Sequence, residues 1–171
     1  LEGMRAVVAE ADLVIARARK LARGQSASVR IGYIMTAAGE FLNLALAALR
    51  RSHPQTKIYL LNLSPGEQIA ALRRGELDVV VLGNINAAIP REFFVRRIAT
   101  FPVVVALPET HALAAGGEVA LADLRKEVFI GANPEETPGF NNWLIQVCRR
   151  GGFRPKIVEN ADSVLQTLSL L

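Results

Sequence analysis

One cysteine, two histidines and one tryptophan in 171 residues leave little room for several kinds of chemistry. A single thiol, Cys148, excludes an internal disulfide and a cysteine-based zinc site. In the apolar stretch with Leu144 and Val147 it reads as a core residue rather than a nucleophile. His53 precedes Pro54 at a helix end, and His111 falls in the turn Pro108-Glu109-Thr110-His111. Two isolated histidines make neither a metal site nor a base–nucleophile pair, so both read as surface residues. A glycine-rich phosphate loop is also missing. Gly32 lacks companion glycines, and no lysine follows Gly131 in P-loop fashion. No run approaches the roughly 18 apolar residues of a membrane span. Leu1-Glu2-Gly3-Met4 lacks the basic stretch and apolar segment of a secretion signal. The expectation is a chain with no catalytic set, no metal, no cofactor and no membrane partner, in the reduced cytoplasm.

What is present is an α/β composition. Half the residues are apolar (51%), and helical and strand patterns alternate. The net charge of +4 is not gathered into a nucleic-acid patch. Arg50-Arg51, Arg73-Arg74 and Arg149-Arg150 each close a predicted helix, where cations offset the macrodipole.

The first segment stands apart. Val7, Ala11, Val14, Ala18 and Leu21, preceded by Met4, follow the 3, 4, 3, 4 spacing of a coiled-coil seam. A helix over residues 1–24 is predicted to pair two subunits, with Gln25-Ser26-Ala27-Ser28 as a polar linker. The alternative is a helix packed on its own domain. Residues 29–82 then read strand, helix, strand, helix, strand. Val29–Met35 leads to Thr36 as the N-cap of a helix reaching Ser52. That helix carries a broad apolar surface of Phe41, Leu42, Ala45, Leu46, Ala48 and Leu49, wider than one core face needs. Ile58–Leu63 leads to Ser64-Pro65-Gly66-Glu67, a capping box with the favoured proline at the first helical position. Gly75 suits a left-handed close, and Val79–Leu82 reads as a parallel strand covered on both faces.

Beyond it, 93–98 and 102–107 read as strands, and 121–124 as a helical turn. Val128–Ile130 reads as a short buried strand, and a helix is predicted from Phe140 to about Arg150. Glu135-Glu136 reads as a solvated charge pair in the intervening loop. Ile157-Val158 is a further strand, and Asp162 or Asn160 caps a last helix. Two α/β lobes, 29–99 and 100–171, are the economical division.

In open α/β sheets, ligands bind outside the carboxyl ends of the strands. Three helix starts are expected there: after Thr36, after Ser64 and at Pro138-Gly139-Phe140. Their free N–H groups favour an anion, so a carboxylate ligand is the natural occupant. Thr36 and Ser64 also have a plainer role, as caps of their own helices.

The order of motifs resembles the regulatory half of LysR-type transcriptional regulators. The resemblance rests on Arg30-Ile31-Gly32-Tyr33, Gly75-Glu76-Leu77-Asp78 and Leu107-Pro108-Glu109-Thr110-His111-Ala112-Leu113-Ala114. It continues through Leu121-Ala122-Asp123-Leu124 and Gly151-Gly152-Phe153-Arg154-Pro155, and covers nearly the whole chain. It implies a two-lobed periplasmic-binding-protein-like (type 2) fold behind a coiled-coil linker helix. It implies a small-molecule effector, an organic acid, in a cleft between the lobes. It also implies a homodimer or homotetramer, with operator DNA contacted through an N-terminal domain absent here. By that likeness Thr36, Ser64, Pro65, Asn84, Gly139 and Phe140 are the effector-binding residues. Asn84 stands where members responsive to aromatic acids often carry arginine. The family's C-terminal return segment is expected to be missing after Leu171. A transporter's solute-binding protein, built on the same fold, is the alternative.

Overall fold

The computed structural model describes residues 28–83 and 92–171, and of residues 35–40 the backbone alone. The predicted coiled-coil helix with Val7, Ala11, Val14, Ala18 and Leu21 lies outside the described residues, as does Asn84. The chain divides into two compact units. One ends at Leu82 and the other begins at Gly83, with Ser64–Gly66 grouped into the second.

The first unit holds β1 (Ser28–Tyr33), α1 (Met35–Ser52), β2 (Lys57–Asn62), the body of α2 (Pro65–Arg73) and β3 (Val79–Val81). The strands are parallel in the order β2-β1-β3. Parallel neighbours need crossover connections, which α1 and α2 supply. From central β1 the chain passes through α1 to β2 on one side and later reaches β3 on the other. The carboxyl end of β1 is therefore the point where strand order reverses, the usual ligand crevice of such sheets. Ile31, Leu46, Ala71 and Leu77 form the buried apolar core, joined by Gln68.

A polar clasp closes the opposite end. Arg30 Nε and Nη2 donate to the two carboxylate oxygens of Asp78 at 3.0 and 2.9 Å. Nη2 also donates to the Gly75 carbonyl at 2.6 Å, and the Asp78 N–H donates to the Arg30 carbonyl at 2.9 Å. Bidentate geometry of this kind fixes orientation as well as charge, and here it sets where β3 joins β1. The bond to Asp78 raises the guanidinium pKa still further. Gly75 takes φ 67°, the left-handed close read from the sequence.

The second unit pairs β4 (Val128–Ala132) with β5 (Lys156–Ala161) in parallel, with α3 (Phe140–Arg150) between them in sequence and α4 (Val164–Ser169) after. Short 3-10 helices occupy Ala114–Gly116 and Leu121–Lys126. Cys148 is 0% exposed, and burial raises its thiol pKa, as a core cysteine requires.

Several expectations are corrected. Residues 93–98 and 102–107 form no strand. Phe94 is 93% and Val104 83% exposed. β-propensity alone does not make a strand. Its backbone needs a partner ladder, and none of the described residues provides one here. β3 is not covered on both faces, for Val79 is exposed, and among the described residues β3 is an edge strand. Val128 is exposed as well, so β4 is buried only in part. α1 begins at Met35, with extended Ile34 as N-cap and no side-chain cap, so Thr36 is the second helical residue. The strand ends at Tyr33, leaving one residue for the turn. α4 is capped by Ser163, whose Oγ accepts the Gln166 N–H at 3.2 Å, rather than by Asn160 or Asp162. His111 is half-buried rather than a surface residue. Its Nε2 lies 3.3 Å from a Glu127 carboxylate oxygen, while Nδ1 accepts the Leu113 N–H at 3.2 Å.

Candidate functional site

In the first unit the carboxyl end of β1 leads through Ile34 into α1, which places Thr36 in the first turn of that helix. β2 ends at Asn62, and α2 opens at Pro65 with Glu67 in its first turn. Beneath this end lies Gln68, fully buried. Its Nε2 donates to the Leu63 carbonyl at 2.8 Å, and its Oε1 has no hydrogen-bond partner among the described residues. A Cβ on Gly32 would sit 2.6 Å from Leu77 Cδ1 and 3.1 Å from Gln68 Cγ. The glycine in β1 is what lets α2 and the following Leu77 close over the strand.

The second unit carries the remaining groups. Ser64, Pro65 and Gly66 cluster with it, and the Gly66 N–H donates to the Glu136 carbonyl at 2.8 Å. A Cβ at Gly66 would overlap the Glu135 carbonyl oxygen. Because Pro65 has no N–H, Gly66 offers the first backbone donor of α2. The Glu135–Glu136 loop thus presents a backbone acceptor to that donor. Asn133 shapes the loop. Its Oδ1 accepts the Glu135 N–H at 3.0 Å, its Nδ2 donates to Asp162 Oδ1 at 2.8 Å, and its carbonyl accepts the Thr137 N–H at 2.9 Å.

The loop ends at Gly139, whose φ of 83° makes it the N-cap of α3. That conformation favours glycine over any residue with a Cβ. Phe140 opens the helix and packs its ring against Trp143 at 5.4 Å between centroids. Asn141, in the same first turn, holds the end of β4. Its Oδ1 accepts the Ala132 N–H at 2.9 Å, and its Nδ2 donates to the Ala132 carbonyl and to Asn160 Oδ1, both at 3.0 Å.

Of the sequence-derived binding residues, Ser64, Pro65, Gly139 and Phe140 thus fall in one unit. Thr36 stands at the end of β1 in the other, and Asn84 lies outside the described residues. Sequence reasoning passed over Gln68, Asn133 and Asn141, and read Asn160 only as a possible helix cap. Asparagines close behind strand ends and in a first helical turn were the available signal, since such side chains bond to nearby backbone. Among the described residues no cluster of three or more His, Cys, Asp or Glu could hold a metal ion. No helix there is long and apolar enough to cross a membrane.

Residues 22–171 match the model of the LysR substrate binding domain. The chain belongs to that family. It is 31% identical over 157 residues to the HTH-type transcriptional regulator AlsR of Bacillus subtilis, covering 90% of this chain and 50% of that protein. The effector binding domain of QuiR in complex with shikimate superposes with a TM-score of 0.61 at 14% identity, covering 85% of this chain and 69% of that one. The BenM effector binding domain with its effector benzoate gives 0.54 at 22% identity, covering 84% and 64%. At these identities the structural likeness speaks for the fold alone, which is the periplasmic-binding-protein-like (type 2) α/β fold read from the sequence. The chain spans about half the length of AlsR. The family is one of transcriptional regulators rather than enzymes, and the relatives set aside the transporter alternative.

Proposed function

We propose that this chain is the effector-binding and oligomerisation region of a cytoplasmic LysR-type DNA-binding regulator, and that its effector is a small metabolite bearing a carboxylate. The match over residues 22–171 carries the regulator reading. Support for an acidic effector comes from the donors at the carboxyl ends of the strands. The first turns of α1 and α3 begin beside the ends of β1 and β4. An anion satisfies such donors and gains from the helix dipole behind them. Benzoate and shikimate, named with BenM and QuiR, give a starting panel. The binding residues of this reading are Thr36, Ser64, Pro65, Asn84, Gly139 and Phe140.

Calorimetry with a panel of small carboxylates and their amides is the direct test. At least one carboxylate is expected to bind, with affinity for it falling about tenfold in Thr36→Val through loss of one hydrogen bond to a charged group. Binding of amides but no acids ends the anionic reading, and unchanged affinity in the variant removes Thr36 from the site.

Operator DNA is contacted in this proposal by a separate N-terminal domain. Effector binding moves that domain only by as much as the ligand distinguishes two states of the protein. The heptad residues Val7, Ala11, Val14, Ala18 and Leu21 hold two copies together, giving a homodimer or homotetramer. Sedimentation of residues 1–171 against residues 25–171 checks this assignment. The shorter chain is expected to lose the dimer, and equal association states for the two would remove the helix from that role.

A further inference from the structure

A chain of side-chain amides in the second unit ends in a donor with no partner among the described residues. Its orientation follows from groups whose roles are not interchangeable. The Ala132 N–H can only donate, so the atom of Asn141 that meets it at 2.9 Å is Oδ1. Asn141 Nδ2 therefore faces the Ala132 carbonyl and the side chain of Asn160. Because Nδ2 donates, the Asn160 atom at 3.0 Å is its Oδ1. The NH2 of Asn160 is then turned away from this network. Among the described residues nothing accepts from it, and Asn160 is exposed.

The place matters as much as the orientation. Asn160 is the penultimate residue of β5, paired with Gly131 at the carboxyl end of the parallel pair β4–β5. Gly131 leaves the space the two amides occupy. A Cβ there would overlap Asn160 Oδ1 and lie 2.6 Å from Asn141 Oδ1. An amide locked on one side and open on the other, at the strand end where this fold takes its ligands, is a prepared hydrogen-bond donor. Holding it in place beforehand lowers the ordering cost of binding.

We infer that Asn160 is an effector-contacting residue whose NH2 donates to a carboxylate or carbonyl oxygen of the ligand, and that Asn141 is the positioning residue that sets its orientation. This rests on the reading of the chain as an effector-binding domain and adds a specificity element to it. Asp162, two residues on, has one carboxylate oxygen committed to Asn133. Its charge makes a neutral carbonyl a real competitor for the same donor, so both probes are needed.

Sodium acetate and acetamide, with sodium chloride as control, are titrated into the isotope-labelled 171-residue chain while the side-chain amide signals of asparagine are followed by NMR. The Asn160 NH2 signal is expected to shift saturably with acetate or acetamide and not with chloride. Asn160→Asp keeps an oxygen for Asn141 Nδ2 but presents an oxygen where the donor was. It is expected to weaken the responding probe about tenfold, the loss of one charge-assisted bond, while leaving the unfolding midpoint in place. Asn141→Ala is expected to weaken it as well, by freeing the Asn160 amide to turn over. A structural role alone would leave probe affinity unchanged in Asn160→Asp. That result overturns the inference, as does an Asn160 signal that ignores both probes. If the backbone signals of Gly139 and Phe140 move with acetate while Asn160 stays still, the acidic-effector reading survives without it. If Asn160 responds to acetamide alone, the inference stands and the acidic-effector reading falls.

Discussion

Gly131→Ala is expected to destabilise the protein by about 2–4 kcal/mol, combining overpacking with the loss of part-buried hydrogen bonds. Gly131 is buried in β4. Its added methyl would overlap Asn160 Oδ1, sit 2.6 Å from Asn141 Oδ1 and approach Ile157 Cγ2 to 2.9 Å. Asn160 is exposed and can turn outward, but Asn141 and Ile157 have no free direction of retreat. Asn141 is held to both backbone groups of Ala132, and Ile157 lies in the paired strand β5. Moving Asn141 frees the Ala132 N–H and carbonyl and separates the first turn of α3 from β4. Urea unfolding followed by circular dichroism measures the change. The double variant Gly131→Ala/Asn141→Ala is expected to recover part of the loss, because deleting the asparagine side chain makes room for the methyl. A single variant within about 0.5 kcal/mol of wild type, the usual range for an inconsequential site, contradicts this account of the packing.

Leu77→Ala is expected to cost about 2–5 kcal/mol, the range for emptying a leucine site in a core that cannot collapse. Leu77 is 1% exposed and is one of the three largest fully buried side chains, with Gln68 and Cys148. It sits between the end of α2 and β1, over the bare backbone of Gly32. Its N–H donates to the Ala71 carbonyl at 3.3 Å, so the backbone is fixed where the side chain is removed. Gly32→Ala in the same chain is expected to restore part of the stability, since its methyl enters the space that Leu77 Cδ1 vacates. Gly32→Ala alone is expected to be destabilising, because Leu77 Cδ1 lies 2.6 Å from the new atom. Denaturant midpoints for the four proteins in this cycle are the measurement. Additive losses with no recovery would show that the two positions do not share one space.

How far the sequence carried depended on range. Helices marked by short-range signals were legible to within a residue or two. Pro65 and Glu67 announced α2, Gly75 its left-handed close, and Gly151 the end of α3. The paired arginines fell in the last turns of α1 and α3, as the dipole argument requires. Cys148 was legible as core from the apolar residues around it. Strands were less legible, because a strand is completed by its neighbour. Residues 103–105 repeat the three valines of Val79–Val81, yet among the described residues only the latter pair with β1. The candidate site divided in the same way. Thr36, Ser64, Pro65, Gly139 and Phe140 could be picked out because each stands beside a helix start. Asn141 and Asn160 could not, because their meaning lies in a contact spanning 19 positions.

Local chemistry therefore settled where the marked helices begin and end, and the family pattern, since each depends on residues within a turn or two of one another. Folding settled which strands pair, why Gly32, Gly66 and Gly131 must lack a side chain, and which way the Asn160 amide faces. Those outcomes depend on atoms from separate segments brought within about 3 Å, a distance at which excluded volume and the direction of a hydrogen bond leave a single arrangement.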